Sequence, residues 1–409
     1  MEVNTETDAT LKERVNDILD SLNALPDGDD IDVNKCDILF TIISIASRVM
    51  SIISTLLLAL HYFHGDKVHH FTWTMCCFII PMFVTMFLQL SIYSEDRREG
   101  AIRKLNIFEI FWSVIIFPIV FRYWKTLIYT LKCKRAEFRN DREEQKKWYA
   151  RLVNEDSDVA LVRIFECFLE AAPQKILQIS IILSGEEKIS TPQMLSLCSS
   201  MFSMAWCIAS YHRCIRLSQL DKINISWIGS IVQSSWHLTI TVSRILSIAI
   251  VASLFPKLTL LCFSIHAILM GLWVFIFDRS PFCSNSLIHS LFFSLILGFV
   301  FIFNYILPKA RPTRYRYATF YSICFLENII CVVLYVTFSK EEDKQEDYFL
   351  ILCIMSIVPF IVGVFFMVLY YLWFHPNLVS RRIYHDEERE KEMQIFSSSA
   401  DPAAPVSTA

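Results

Sequence analysis

The stretch that decides the fold is Arg163-Ile-Phe-Glu166-Cys-Phe-Leu-Glu170-Ala-Ala-Pro173-Gln174-Lys175-Ile-Leu-Gln178. It continues into an apolar run ending at Leu183, and the whole pattern predicts a helix at membrane depth. Glu166 and Glu170 are four residues apart, so both carboxylates share one helix face with Arg163. A charge at the bilayer centre costs roughly 2.5–3.5 kcal/mol, so this face needs a partner, water or lipid headgroups. The plainer alternative is that Arg163 and Glu166 lie in water at the cytoplasmic end of the helix.

The composition is that of a membrane protein. Of the 409 residues, 54% are hydrophobic,. The net charge is −3, so the chain has no excess of basic residues of the kind that nucleic-acid-binding proteins carry,. The 13 cysteines show no CxxC pair and no metal-ligand spacing,. No nucleophile accompanies the carboxylates and no GxxxxGK[ST] motif occurs, so we expect neither an enzyme nor a cofactor or metal site.

Charge decides how the apolar segments cross the membrane. The basic loops 94–104 and 132–160 would lie on opposite sides if the segment 105–131 spanned the bilayer, against the preference of Lys/Arg-rich loops for the cytoplasm. The same conflict surrounds 283–307. We therefore predict that both segments are re-entrant, which places every strongly basic loop and both termini in the cytoplasm.

The predicted fold is an all-α polytopic membrane protein with eight transmembrane helices and two re-entrant helices in two pseudo-symmetric halves. An acidic tail, 1–36, and a C-terminal tail, 378–409, flank the halves. The first half, 37–217, contains the spans 37–63, 70–93, 161–183 and 193–215 and the re-entrant segment 105–131. The second half, 226–377, contains the spans 226–254, 258–277, 315–338 and 348–374 and the re-entrant segment 283–307.

A short repeat supports the two halves. Cys167-Phe-Leu-Glu170 lies in the span after the first re-entrant segment, and Cys324-Phe-Leu-Glu327 lies in the span after the second. Each half has an even number of crossings, so the halves share one orientation and are related by an axis along the membrane normal.

Other charges recur inside or beside apolar segments. Together they predict a charged seam across the membrane, in which Arg244 pairs with one of the carboxylates. Each member has the alternative of a structural ion pair, and Arg48 lies in the first span. The predicted seam is Arg163, Glu166, Glu170, Asp221, Arg244 and Glu327.

The run from Phe165 to Gln174 resembles the Phe-Glu-x-Phe-x-Glu-x-x-Pro-Gln core of the XK-related (Kx) family of membrane proteins. Further similarity covers about 37–377 and includes the ending His375-Pro376-Asn377. The family motif residues are Pro173, Gln174, Asn304, His375, Pro376 and Asn377. The resemblance implies eight spans with two half-inserted helices, and a family that includes caspase-activated phospholipid scramblases and members without demonstrated scrambling. Scrambling members carry acidic residues in the first span where this chain has Ser51 and Thr55.

The resemblance and the seam together predict a plasma-membrane scramblase that exposes phosphatidylserine. The expected partners are phospholipids, a caspase, and either a single-pass partner subunit or a second copy of the chain. The alternatives are a solute transporter coupled through the membrane carboxylates and a membrane scaffold that transports nothing.

The tails offer candidate switches. Caspases cut after aspartate, and the N-terminal tail carries Thr5-Glu6-Thr7-Asp8 before Ala9 and Leu25-Pro26-Asp27 before Gly28. In the C-terminal tail, Asp401 precedes a proline and is a poorer fit. Residues 1–35 include ten acidic side chains, so we expect this arm to lie against the basic cytoplasmic loops until it is cut,.

Overall fold

The computed structural model describes residues 18–19, 35–98, 118–187, 191–217, 225–277, 287–306, 314–345 and 347–375. All regular secondary structure in these ranges is helical. The helices are α1 Lys35–His64, α2 Val68–Arg98, α3 Pro118–Phe138, α4 Arg142–Glu166, α5 Ala172–Leu183, α6 Thr191–Leu217, α7 Trp227–Leu254, α8 Pro256–Phe277, α9 Leu287–Val300, α10 Arg314–Phe338, α11 Glu341–Lys344 and α12 Asp347–Leu369. A π-helical turn, Cys167–Ala171, joins α4 to α5, and another, Tyr370–Phe374, follows α12.

Seven helices in the described ranges are long and apolar enough to cross a membrane. They are Ser44–His64, Val68–Ser91, Gln193–Leu217, Trp227–Leu254, Pro256–Phe277, Tyr315–Phe338 and Tyr348–Phe374. The residue range of each of these helices overlaps one of the predicted spans. The remaining predicted span, 161–183, lies in the continuous helical stretch of α4, the π turn and α5, and its four charged residues distinguish it from these seven.

The stretch from Arg142 to Leu183 is one helix with a local widening. Asp141 caps its start, since its side chain accepts a hydrogen bond from the Glu144 backbone at 3.0 Å,. Pro173 has no N–H, and just before it the Ala172 N–H bonds to the Cys167 carbonyl, five residues back,. The stretch is about 63 Å long, twice the roughly 30 Å hydrocarbon core, so much of the predicted loop 132–160 is helix.

The first predicted re-entrant segment, 105–131, is described from residue 118 onward. There it forms α3, Pro118–Phe138. Buried Arg122 fixes α3 to its neighbours. Its Nε donates to Gln89 Oε1 on α2 at 2.6 Å, and its Nη1 lies 3.2 Å from carboxylate oxygens of α4. The carboxylates are those of Glu155 and Asp158.

The second predicted re-entrant segment, 283–307, is described from residue 287 to residue 306 and contains α9. Its 14 residues extend about 21 Å, and the chain then leaves the helix through a buried turn, Phe301–Ile306,. α9 packs closely along α8. A Cβ at Gly298 would meet backbone atoms of Ala267 and Gly271, so this crossing requires glycine.

The second half is organised around α7, which packs on α12, α10, α5 and α6. α12 approaches α7 closely because Gly363 lies against Thr239 and Ile240. The corresponding helices of the first half, α1 and α6, do not pack closely together. Instead α1 packs on α2 and α3. A space therefore opens in the first half where the second half is closed.

Candidate functional site

That space is a cleft of about 540 Å³ between α1, the α4–α5 stretch and α6. Its α1 wall consists of residues spaced three and four apart, as one helix face requires. They are Ser44, Arg48, Ser51, Thr55, Leu58 and Tyr62. From Ser44 to Tyr62 the wall extends about 27 Å, close to the thickness of the hydrocarbon core.

The second wall is the face predicted to be polar. It presents Arg163, Glu166, Glu170, Gln174, Gln178 and Ile182 to the cleft. The third wall is a hydrophilic face of α6, formed by Gln193, Ser196, Ser200 and Ser203. Arg163 and Glu166 thus lie within a long helical stretch and border the cleft, rather than lying at a helix end.

The two ends of the cleft differ. One end is lined by Ser44, Arg163 and Ser203, together with Tyr123 from α3. The opposite end carries Tyr62, Glu187 and Gln193. By the predicted topology the first end faces the cytoplasm and the second faces outward.

Ion pairs tie the loops together at the Tyr62 end. Lys67 Nζ lies 3.3 Å from Glu187 Oε1, and His70 Nε2 lies 2.6 Å from Glu186 Oε2. The Tyr62 hydroxyl also donates to Glu187 Oε2 at 3.4 Å. These contacts cap the cleft at this end.

An ion cluster lies midway along the cleft. Arg48 donates to both carboxylate oxygens of Glu170, at 3.1 and 2.8 Å. Its Nε lies 3.2 Å from Glu166 Oε1. One guanidinium therefore contacts two carboxyl groups.

Two further cations line the cleft on either side of this cluster. Arg163 lies one helical turn before Glu166, towards the Ser44 end. Lys175 lies past Glu170, towards the Tyr62 end, and is 7% exposed. Lys175 Nζ donates to Gln178 Oε1 and Ser196 Oγ, each at 3.3 Å.

A second ion cluster fills the core of the other half. Arg244 is fully buried, and its Nη2 donates to Glu327 Oε2 at 2.7 Å. This confirms the predicted pairing of Arg244 with a membrane carboxylate. Arg244 also donates to Asn328 Oδ1 at 2.7 Å, and His266 Nδ1 lies 2.6 Å from Glu327 Oε1. The predicted seam therefore divides into two clusters that share no side chain.

The two clusters repeat one contact. In each half the glutamate that ends the Cys-Phe-Leu-Glu repeat, Glu170 or Glu327, binds an arginine of the first span. The sequences around these arginines also match, as Ser47-Arg48-Val-Met-Ser51 and Ser243-Arg244-Ile-Leu-Ser247. The Ser247 hydroxyl donates a hydrogen bond to the Ser356 carbonyl of α12 at 3.2 Å, whereas Ser51 lines the cleft.

Arg48, Ser51 and Thr55 are the site residues that sequence reasoning left out. The sequence identifies Arg48 as an intramembrane charge and Ser51 and Thr55 as positions where scrambling relatives are acidic, but it places none of the three in the predicted seam. The Ser-Arg-x-x-Ser repeat was the signal that could have identified Arg48. Thr55 Oγ1 donates to Gln174 Oε1 at 3.4 Å, so the family motif residue Gln174 belongs to the cleft.

The remaining motif residues lie elsewhere. Asn304 is buried in the second half, where it accepts from His237 or Tyr321 and donates to Thr241 Oγ1 at 3.0 Å. His375 stacks on Tyr371 after α12. The other predicted residues fall outside the described ranges, namely Asp8, Asp27, Asp221, Pro376 and Asn377.

Comparison with known proteins gives one family. The sequence profile described as XK-related protein matches residues 39–376. Cell death abnormality protein 8 of Caenorhabditis elegans is 28% identical over 271 residues, which are 63% of this chain and 57% of that protein. Its namesake from Caenorhabditis briggsae is 27% identical over 301 residues, covering 71% of this chain and 64% of that protein. The matched region is thus less than two thirds of either relative.

Proposed function

We propose, from the premise that the chain belongs to the XK-related family, that it is a phospholipid scramblase of the plasma membrane. The cleft is the observation that carries this proposal. Polar side chains recur along about 27 Å of its length,. A lipid headgroup is costly to place in hydrocarbon, as any unpaired polar group is, so it needs polar contacts of this kind to cross.

The edges of the cleft suit a lipid. Met50 on α1 is 60% exposed and Leu195 on α6 is 71% exposed. Ser54 and Ser199 on the same two helices line the cleft and are also exposed. A headgroup can therefore move along the polar interior while its acyl chains stay in the bilayer beside α1 and α6. Such movement is downhill and needs no nucleotide.

The sideways opening also separates this proposal from its rivals. A solute carrier would close its polar path away from lipid, whereas the exposed edges of this cleft face the membrane. A scaffold would enclose its cations, as the second half encloses the guanidinium of Arg244. Neither arrangement describes the Arg48 cluster.

The proposed architecture is the predicted one, with eight spans and two half-inserted helices. Seven apolar helices and the α4–α5 stretch supply the spans. The buried turn Phe301–Ile306, which follows α9, suits a half-inserted segment that turns back inside the protein. On this topology, α3 is the half-inserted helix of the first half, and both termini are cytoplasmic.

The N-terminal arm is the proposed switch. Ile18 is 4% exposed and packs against Ala150 and Val153 of α4, a helix that continues into the wall of the cleft. A caspase cut after Asp27 would separate Ile18 from the membrane part of the chain. A cut after Asp8 would leave Ile18 attached, so Asp27 is the more effective of the two candidate sites.

Reconstitution tests the function directly. Liposomes with fluorescent lipids in both leaflets would be quenched from outside, using intact protein and protein cut at a protease site replacing Leu25–Gly28. We expect the cut protein to bring inner-leaflet lipid to the quencher, and Arg48→Gln to slow this at least tenfold, the loss expected for a charged contact.

The matched control is Phe83→Leu, a change on the exposed face of α2 that should leave the rate unchanged. Folded protein that moves no lipid, whether intact or cut, would refute the scramblase. Proton-coupled uptake of a soluble solute by the same liposomes would instead establish the transporter.

A further inference from the structure

The cleft contains a buried cation that the Arg48 cluster does not use. Lys175 is 7% exposed, and no carboxylate among the described residues pairs with it. Its two contacts are neutral oxygens, those of Gln178 and Ser196. A buried ammonium bound only to neutral groups is incompletely stabilised and attracts an anion.

A second donor in the same cleft also lacks an acceptor. Gln174 is 8% exposed, and its Oε1 accepts from Thr55. Its Nε2 is buried and has no hydrogen-bond partner in the part of the chain that the structure describes. Buried amide donors nearly always have a hydrogen-bond acceptor, so we expect a ligand in the cleft to supply one for the Gln174 amide.

We infer that Lys175, Gln174 and Ser196 form a binding site for a phosphate group within the cleft. This inference rests on the proposed function and adds the part of the lipid that the site holds. An ammonium, an amide N–H and a hydroxyl are the donors that bind phosphate oxygens. All three residues line the same cleft.

The neighbouring charges suit the rest of a zwitterionic headgroup. Lys175 lies about 7.5 Å along the helix axis from Glu170, so the Arg48 cluster, with its two carboxyl groups, lies just inward. The phosphate would bind at Lys175 while the ammonium of the same headgroup turns towards Glu170. Two adjacent sites of opposite sign would thus hold the two ends of one headgroup.

Binding to the full-length purified protein in detergent tests this site without requiring transport. The probes are phosphatidylserine, ceramide, which lacks phosphate, and soluble glycerophosphate, each titrated by native mass spectrometry. The variants are Lys175→Gln, Lys175→Arg and Gln174→Met, with Lys257→Gln, an exposed lysine at the start of α8, as control.

We expect Lys175→Gln to weaken phosphatidylserine binding about tenfold or more, as for a lost charged hydrogen bond, and to leave ceramide binding unchanged. Lys175→Arg should restore most of the affinity, and Lys257→Gln should have no effect. If Lys175→Gln does not fold, Gln174→Met, which keeps the lysine, should weaken phosphatidylserine binding selectively. Competition by glycerophosphate would show that free phosphate esters share the site, and its failure would show that only lipid enters.

Unchanged phosphatidylserine affinity in folded Lys175→Gln and Gln174→Met would overturn the site. If Lys175→Gln weakened ceramide binding as much as phosphatidylserine binding, the proposal would also be overturned, because the site would then not recognise the phosphate group. Protein that scrambles normally in both variants with unchanged binding would refute the site and leave the proposed function intact. Protein that binds phosphatidylserine through Lys175 but moves no lipid would support the site and refute the proposed function.

Discussion

Arg48 and Arg244 occupy equivalent places in the two halves but have different surroundings. The guanidinium of Arg244 is enclosed by Glu327, Asn328 and backbone carbonyls, and its side chain has no exposed surface. That of Arg48 borders the cleft and is 18% exposed. The same ion pair is therefore a structural element in one half and part of a polar path in the other.

Substituting each arginine should separate these roles. Arg244→Gln removes the fully buried cation that Glu327, Asn328 and two backbone carbonyls share, and we expect the free energy of unfolding to fall by about 3–5 kcal/mol,. Arg48→Gln should cost less stability, because water in the cleft can solvate Glu166 and Glu170, yet it should slow lipid movement more. Unfolding in detergent and liposome transport measure the two effects.

The double variants give the control. Adding Glu327→Gln to Arg244→Gln should recover part of the lost stability, because the unpaired carboxylate is gone. Adding Glu170→Gln to Arg244→Gln should recover none. Equal stability losses for Arg48→Gln and Arg244→Gln would show that the cleft does not hydrate its carboxylates.

At the scale of a helix, the serine face of α6 determines how polar the cleft is. Replacing Ser196, Ser200 and Ser203 with leucine would turn that wall apolar while keeping good helix formers. We expect transport to fall at least tenfold with little change in the melting temperature, because these side chains border a cavity rather than a packed core. Liposome quenching and thermal unfolding are the two measurements.

The matched control lies on the same helix. Phe202 is 57% exposed, and Phe202→Leu should leave transport unchanged. Unaltered transport in the triple leucine variant would remove α6 from the path.

The crossing of α8 and α9 gives a second test at this scale. A methyl group at Gly298 would meet backbone rather than flexible side chains, so Gly298→Ala should destabilise the protein by about 1–3 kcal/mol through overpacking,. Gly65→Ala, in the turn after α1, is the milder control, since the nearest atom there is 3.3 Å from the new carbon. Thermal unfolding in detergent should rank the two, and equal midpoints would contradict the tight crossing.

Sequence periodicity and charge located most of these elements, because apolar length and loop charge are local properties. They predicted the helical class, the polar face from Arg163 to Gln178, and the pairing of Arg244 with a carboxylate. They missed Arg48 because its partners lie more than a hundred residues away, and only the fold brings α1 beside the α4–α5 stretch. They also missed the helical form of 132–160, where charge suggested a loop but burial of one face favours a helix.

At the scale of the whole molecule, the N-terminal arm and the cleft are joined by one continuous helical stretch. Ile18 packs on α4 near Val153, and the same stretch carries Glu166 and Glu170 further along. Ile18→Glu would place a charge in this apolar contact and release the arm. We therefore expect lipid exposure without any cut, measured by binding of a phosphatidylserine probe to living cells.

Asp8→Ala should have no effect on lipid exposure in dying cells, whereas Asp27→Ala should reduce it. Ile18→Glu cells that keep their phosphatidylserine inside until the chain is cut would show that this contact does not control the cleft.

The predicted topology is tested with a tag. The turn between α3 and α4 exposes Asp141, and we expect an epitope inserted there to be labelled only after the plasma membrane is permeabilised. A tag in the turn at Gly65, after α1, should be labelled on intact cells. Labelling of the Asp141 tag from outside would contradict the half-inserted position of α3.

The repeated arginine–glutamate contact also bears on the history of the chain. If both halves descend from one ancestral unit, the pair existed before the duplication and served first to join two helices within that unit. The second half then kept α7 packed against α12. In the first half α1 and α6 moved apart, and the pair of Arg48 and Glu170 became part of the wall of a cleft. The cleft would then have arisen by separation of two helices that were already packed together. Amino-acid substitutions should accumulate more freely around Ser51 than around Ser247.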